Sequence, residues 1–202
     1  MLASDQEVDL VLLGAPASLL DEGVFDPDLT VVLADMPCDV AVLVTHEGQS
    51  AGVDADRPVV VPFGGAEHEW AAVEIGAWLA AAHGARLRLL GTTADPGSGR
   101  RDASRLLARA ALMVQRVASV PTEPALVEPG EAAVISAADE AGLIVVGLSP
   151  RWRQEGMGSV RLAVLRAAKP PALLVRRGLR PGGLAPRGTM TRFTWTLARP
   201  DE

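Results

Sequence analysis

Seven short apolar runs alternate along this chain with longer stretches in which apolar residues recur every three or four positions. Leu10–Leu13 closes at Gly14, Val40–Val44 follows Pro37, and Val59–Phe63 is introduced by Pro58. Leu87–Leu90, Pro124–Val127, Leu143–Val146 and Ala172–Val175 complete the set. Continuous apolar runs of this length, bounded by glycine and proline, are the signature of strands buried on both faces of a parallel sheet. The intervening stretches read as helices. One starts at Pro27 with Asp26 as its N-cap and Leu29, Val32 and Leu33 as its stripe. Others span about 67–83, 102–119, 131–140 and 159–168. Strict alternation of strand and helix predicts a parallel sheet covered on both sides.

The pattern also repeats itself. DLVLLGAPASLLDEGVFDPDLTVVLADMPCDVAVLV reappears as GLIVVGLSPRWRQEGMGSVRLAVLRAAKPPALLVRR, without a gap, at a constant offset of 133 residues from Leu10/Leu143 to Val42/Val175. Each copy is a strand, a glycine turn, a helix and a Pro-led strand. Only the second has enough chain before it to complete a domain. The division expected is therefore a half-repeat over 1–46, a polar linker over 47–57, a complete domain over 58–178 and a tail over 179–202. A lone strand–helix–strand leaves a sheet edge bare, so Val40–Val44 is expected to dock on Ala172–Val175 of a complete domain, within the chain or between chains. The tail contains one alternating piece, TRFTWTL, with the pattern of an edge strand.

Composition removes several function classes. A net charge of −6 argues against nucleic acid, whose backbone demands a concentrated basic face. The chain has no apolar run of membrane-spanning length, and MLASDQEVDL lacks the features of a signal peptide, so a cytoplasmic location is expected. One cysteine, Cys38, leaves no disulfide framework and no Cys-based zinc cage, and His68 and His83 lie about four helical turns apart. No metal is predicted. Gly147-Leu148-Ser149-Pro150-Arg151 approaches a nucleophile elbow but lacks its closing glycine, and no histidine follows it, which disfavours a hydrolase.

Residues 58–178 resemble the universal stress protein domain, a flavodoxin-like α/β sandwich, most clearly over VVGLSPRWRQEGMGSVRLAVLRAAKPPALLVRR. The turn VVVPFGG at 59–65, downstream of a degenerate first repeat, is similar to the cytosolic tails of monovalent cation:proton antiporters. The resemblance implies a non-catalytic regulatory domain at the inner face of the cell membrane, paired as a homodimer and joined to a membrane antiporter domain in the same polypeptide or complex. Its implied ligand is an adenine nucleotide: cyclic di-AMP, AMP or ATP.

The implied site lies at the strand ends: Phe63, Gly64 and Gly65 after the first strand of the complete domain, Thr92 after the second, Gly147, Leu148 and Ser149 after the fourth, and Gly158-Ser159 at the next helix start. Arg151 and Arg153 stand nearest the implied phosphates, with Trp152 between them as a base-stacking candidate or a packed side chain. Departures from the family pattern are specific. Pro150 occupies the second glycine of G-x-x-G and removes a backbone donor, the following segment is two residues short, and Phe63 replaces the Asp that faces adenosine in nucleotide-binding members. The readings that follow are an altered nucleotide sensor, a dimerisation scaffold without ligand, and a nucleotide hydrolase.

Overall fold

The computed structural model describes residues 8–49, 51–94, 102–179 and 182–184. The TRFTWTL segment and most of the loop before Asp102 lie outside the described residues. The described residues form seven strands and seven helices in the order β1 (Leu10–Gly14), α1 (Ala17–Glu22), α2 (Pro27–Asp35), β2 (Asp39–Val44), β3 (Val59–Pro62), α3 (Glu67–Ala82), β4 (Leu87–Thr92), α4 (Ser104–Ala118), β5 (Thr122–Val127), α5 (Glu131–Ala138), β6 (Leu143–Gly147), α6 (Trp152–Glu155), α7 (Ser159–Ala167) and β7 (Ala172–Arg176). The strands form one sheet in the order β1-β2-β7-β6-β3-β4-β5. All pairings are parallel except β2 with β7. No described helix is long and apolar enough to cross a membrane.

Alternation along the strands sorts side chains into two cores. Val59, Val61, Leu87, Leu89, Val145 and Val175 pack under α3 and α4 on one face. Val60, Leu90, Ile144, Val146, Val40, Val42 and Leu174 pack with Leu19, Leu29, Leu33, Val164 and Leu165 on the other. The half-repeat and the complete domain share this second core, and their sheets are continuous.

The two copies superpose with a one-residue slip that the gapless offset conceals. Leu12 pairs with Ala41 and its counterpart Val145 pairs with Leu173, so the offset is 133 in the first strands but 132 in the last. The slip falls between Gly23 and Asp26, where the half-repeat has two residues, Val24 and Phe25, against the single Met157 between Gly156 and Gly158. Both glycines have positive φ (71° and 64°), and both helices then run nine residues, from Pro27 and from Ser159. A turn of different length is where a repeat absorbs an insertion without shifting a strand.

β2 meets β7 about a local two-fold axis. Val42 lies opposite Leu174, its own counterpart, and the flanking pairs Ala41–Val175 and Leu43–Leu173 exchange across that point. The same axis governs the helix ends. Three carbonyls at the end of α2 and in the turn beyond it receive Arg176: Nε donates to Leu33 O (2.6 Å), Nη2 to Met36 O (2.7 Å) and Nη1 to Cys38 O (3.1 Å). Three carbonyls at the end of α7 and beyond it, two of them the counterparts of Leu33 and Met36, receive the segment after β2, with His46 Nε2 on Leu165 O (3.0 Å) and Gln49 Nε2 on Ala168 O (3.4 Å) and Lys169 O (2.5 Å). Each half supplies the donors that the other half's orphan carbonyls require. Residues 46–49 are thus strapped down, where the polar composition suggested an exposed linker. The other side of the junction is closed by Gly178 N–H on Asp39 Oδ1 (2.6 Å) and Leu179 N–H on Pro37 O (2.7 Å). Part of the expected tail is docked as well: Leu184 is buried in the first core, and Gly183 N–H donates to Glu74 Oε2 (2.9 Å).

Candidate functional site

In a sheet of this topology the chain leaves β3 in opposite directions along the sheet, to β4 on one side and eventually to β6 on the other. A crevice is expected outside the carboxyl ends of those two central strands. The β3–β6 ladder runs only from Val59/Leu143 to Val60/Ile144, so the strands part just below that point. The implied site residues converge on these strand ends.

Side chains of the chain itself bond the backbone groups at these strand ends. Glu69, in the first turn of α3, turns its carboxylate back onto the glycine turn, where Oε2 accepts from Gly64 N–H (2.8 Å) and Ala66 N–H (2.9 Å). This is the return half of a capping box, made without a capping side chain at Ala66. Those amides form a nest with its own internal anion. Burial pushes the Glu69 carboxyl above the ordinary range, while the amide hydrogen bonds and Arg161 pull it down.

From the other side Arg161, on the first turn of α7, reaches across the end of β6. Its Nε donates to Gly147 O (2.7 Å), Nη1 to Met157 O (3.4 Å), and Nη2 lies 3.1 Å from His68 Nε2. Guanidinium only donates, so His68 Nε2 accepts and the ring is neutral. Burial and the Arg161 charge hold His68 down at about 4. Gly147 needs its missing side chain for packing, since a Cβ there would lie 2.7 Å from His68 O and 3.0 Å from Glu69 Cα. The first turn of α3 therefore packs directly on Gly147.

The remaining implied residues fall into two groups. Phe63 and Leu148 are core residues; Phe63 meets Trp70 edge-on with centroids 4.8 Å apart, and Leu148 sits with the second core. Ser149 Oγ accepts Arg151 N–H (3.2 Å) within its own turn. Gly65 adopts φ +91° against Leu106, and Thr92 accepts Ala103 N–H through its carbonyl (3.0 Å). The second group faces outward. Gly158 and Ser159 open α7 with φ +83° at the glycine, no side-chain cap and no acidic residue in the first turn. Arg151 is exposed and paired with Glu155 (3.1 Å), and Arg153 lies 5.5 Å over the ring of Trp152.

Trp152 itself is buried against the half-repeat, edge-on to Phe25 with centroids 5.2 Å apart. It anchors the junction between the repeats. The sequence offered His68 only as a metal-ligand candidate set aside for its distance from His83, and no signal singled out Glu69 or Arg161. All three are common surface types, and only the packing of α3 on β6 brings them together.

Among the described residues, no group of three or more His, Cys, Asp or Glu is arranged to hold a metal ion. A shallow groove of about 600 Å³ lies beside α5, lined by Arg88, Leu90, Val127, Asp139 and Lys169 among others. Two of its charged residues are in ion pairs, Lys169 with Asp139 (2.6 Å) and Arg88 with Glu123 (3.5 Å).

No curated protein matches the chain. Among solved structures, a universal stress protein from Archaeoglobus fulgidus DSM 4304 aligns at 16% identity with TM-score 0.59, covering 87% of this chain and 63% of that one. A second, from Archaeoglobus fulgidus, aligns at 20% identity with TM-score 0.52 over 60% of this chain and 94% of that one. A third, solved in complex with dAMP, aligns at 20% identity with TM-score 0.49 over 59% of this chain and 97% of that one. The first alignment includes the half-repeat; the other two are shorter by about a quarter of the chain. The Universal stress protein family profile matches residues 57–176, from just before β3 through the last residue of β7. With residues 57–176, more than half of its length, matched by that profile, the chain belongs to the universal stress protein family.

Proposed function

We propose that this protein is a non-catalytic assembly module of stress-protein type, whose nucleotide crevice is closed by its own side chains. The observation that carries this reading is the mutual satisfaction of the crevice. Glu69 neutralises the amide nest after β3, and Arg161 consumes the Gly147 carbonyl after β6. A ligand phosphate would have to displace a carboxylate already held by two amides, and a base would find Phe63 and Trp152 committed to cores. The setting implied by VVVPFGG, the cytosolic tail of a cation:proton antiporter at the inner face of the membrane, suits a module that works by association. A homodimer is the assembly expected in that setting.

The sensor reading keeps one supporting observation. The first turn of α7 is uncapped and free of acidic residues, with Arg151 and Arg153 exposed nearby, which suits the phosphates of cyclic di-AMP, AMP or ATP. Calorimetric titration separates the two. The assembly reading expects no binding of any of the three nucleotides at millimolar concentration. Saturable binding that Gly158→Asp weakens tenfold or more would replace it with the sensor reading.

A further inference from the structure

We infer that the groove beside α5 is a ligand site separate from the crevice, built for a small monocarboxylate with an apolar body, whose charge Arg88 receives. Arg88 lies in β4 opposite Val60 of β3, and Val60 lies opposite Ile144 of β6. Val60, Ile144 and Leu90, two residues beyond Arg88, are buried members of the second core. Arg88 therefore stands on the core-facing side of its strand. A guanidinium placed there costs free energy unless its donors find acceptors.

The protein supplies those acceptors only in part. Glu123, opposite Arg88 in β5, is the carboxylate paired with it, and it is shared. Its Oε1 accepts from Arg86 Nη1 at 2.6 Å, while Arg88 reaches Oε2 only through Nε at 3.5 Å. Two guanidiniums on one carboxylate leave a positive charge over. Among the described residues, the Nη groups of Arg88 have no hydrogen-bonding partner. Its side chain is 23% exposed and lines the groove, so the unspent donors are open to a ligand there. Lys169, the other cation of the lining, is already committed to Asp139 at 2.6 Å.

The rest of the lining decides the ligand's chemistry. Leu90, Ala125, Val127 and Ala137 give the groove an apolar side, and its volume of about 600 Å³ is that of a small-molecule site. A carboxylate matches the planar fork of Arg88, which can hold it through two parallel hydrogen bonds. Asp139 and Glu140 belong to the same lining and repel a second negative charge, so a phosphate dianion or a nucleotide polyphosphate is selected against. None of these residues belongs to the crevice at the ends of β3 and β6. The site therefore stands or falls independently of the assembly and sensor readings.

The test follows the methyl resonances of Leu90, Ala125, Val127 and Ala137 in the full chain by NMR during titration with hexanoate. Parallel titrations use its neutral isostere hexanamide and inorganic phosphate. Hexanoate is expected to shift these methyls saturably, with a dissociation constant of about millimolar, the range open to a ligand of its size. Replacing hexanoate by hexanamide, or Arg88 by glutamine, should weaken binding about tenfold or more, as the loss of a charge-assisted contact does. Glu123→Gln, which frees Arg88 from the Glu123 charge, should tighten it, an outcome that a purely structural arginine does not give. Should Arg88→Gln fail to fold, the comparison of hexanoate with hexanamide on the wild type decides alone. The proposal is overturned by the absence of saturable shifts at about ten times the expected dissociation constant. Equal shifts with hexanamide, binding indifferent to Arg88→Gln, weaker binding in Glu123→Gln, or phosphate binding as tightly as hexanoate overturn it too.

Discussion

Replacing Arg176 by alanine tests whether the half-repeat is held by exchanged helix caps or merely by strand pairing. The guanidinium donates to three carbonyls of the other repeat, Leu33, Met36 and Cys38, at 2.6, 2.7 and 3.1 Å. A hydrogen bond involving a charged group contributes roughly 1.5–3 kcal/mol, and a carbonyl left buried without a partner costs about 1–3 kcal/mol. Arg176 is half-buried, so water recovers part of the loss. Crediting two of the three bonds at the lower figure gives about 3 kcal/mol. For a chain of this length that corresponds to a fall in melting temperature of about 6–12 °C. The expected calorimetric trace of Arg176→Ala shows that fall, and amides of α2 should exchange faster than those of α3. On the opposite side of the two-fold axis the caps are His46 and Gln49, and Gln49→Ala should cost only about 1 kcal/mol, as neutral donors do. An Arg176→Ala melt within 2 °C of the wild type would refute the reasoning and leave the β2–β7 ladder as the whole of the attachment.

Two further outcomes follow from the crevice. Gly147→Ala should destabilise by about 3 kcal/mol in urea titration, because its Cβ presses on the α3 backbone, whereas Gly14→Ala at the equivalent position should be neutral or slightly stabilising; equal effects would show that the two glycines are not distinguished by α3. Lowering the pH from about 6.5 towards 4 should cost stability through His68. Its folded value of about 4 lies below the unfolded value, so the contribution is complete above about 6.5 and is lost as protons bind the unfolded chain first. Glu69, pushed up, works in the opposite direction, so the measurement is the difference in melting temperature between wild type and His68→Gln across that window; parallel curves would remove His68 from the account.

Much of the fold was legible because each strand is a short apolar run bounded by a residue with a backbone reason to be there. Pro58 opens β3, Gly14 and Gly147 close β1 and β6, and Asp26 caps α2 with its Oδ1 on Leu29 N–H at 2.8 Å. What escaped lay where local pattern carries no information. α1 is a six-residue helix over ASLLDE and α6 a four-residue helix over WRQE, both too short for a periodicity to register. Residues 46–49 look like linker because their side chains are polar, but a polar side chain beside a helix C-terminus is a cap. Which of the two it becomes depends on where α7 ends in space, a non-local fact. The one-residue slip between the repeats was hidden for a related reason: apolar identity persists at both offsets, and only strand register distinguishes them.

The crevice shows that a glycine pattern can answer to packing as well as to a ligand. A glycine at the end of a parallel strand admits whatever comes closest, and a phosphate and the first turn of a helix present the same demand for an absent Cβ. Gly147 answers to the helix, with backbone 2.7 Å from its missing methyl. The distinguishing residues are the ones that fill the volume. Arg161, a long cation two positions after Gly158-Ser159, reaches back to Gly147 O, and Glu69, five positions after Gly64, closes its amide. Both sit one helical turn beyond the motif, on the faces that point into the crevice. A ligand site of this fold is therefore better read from the residues one turn into α3 and α7 than from the glycines themselves. By that criterion the carboxylate of Glu69 and the guanidinium of Arg161 are the residues on which the proposed assembly reading stands or falls.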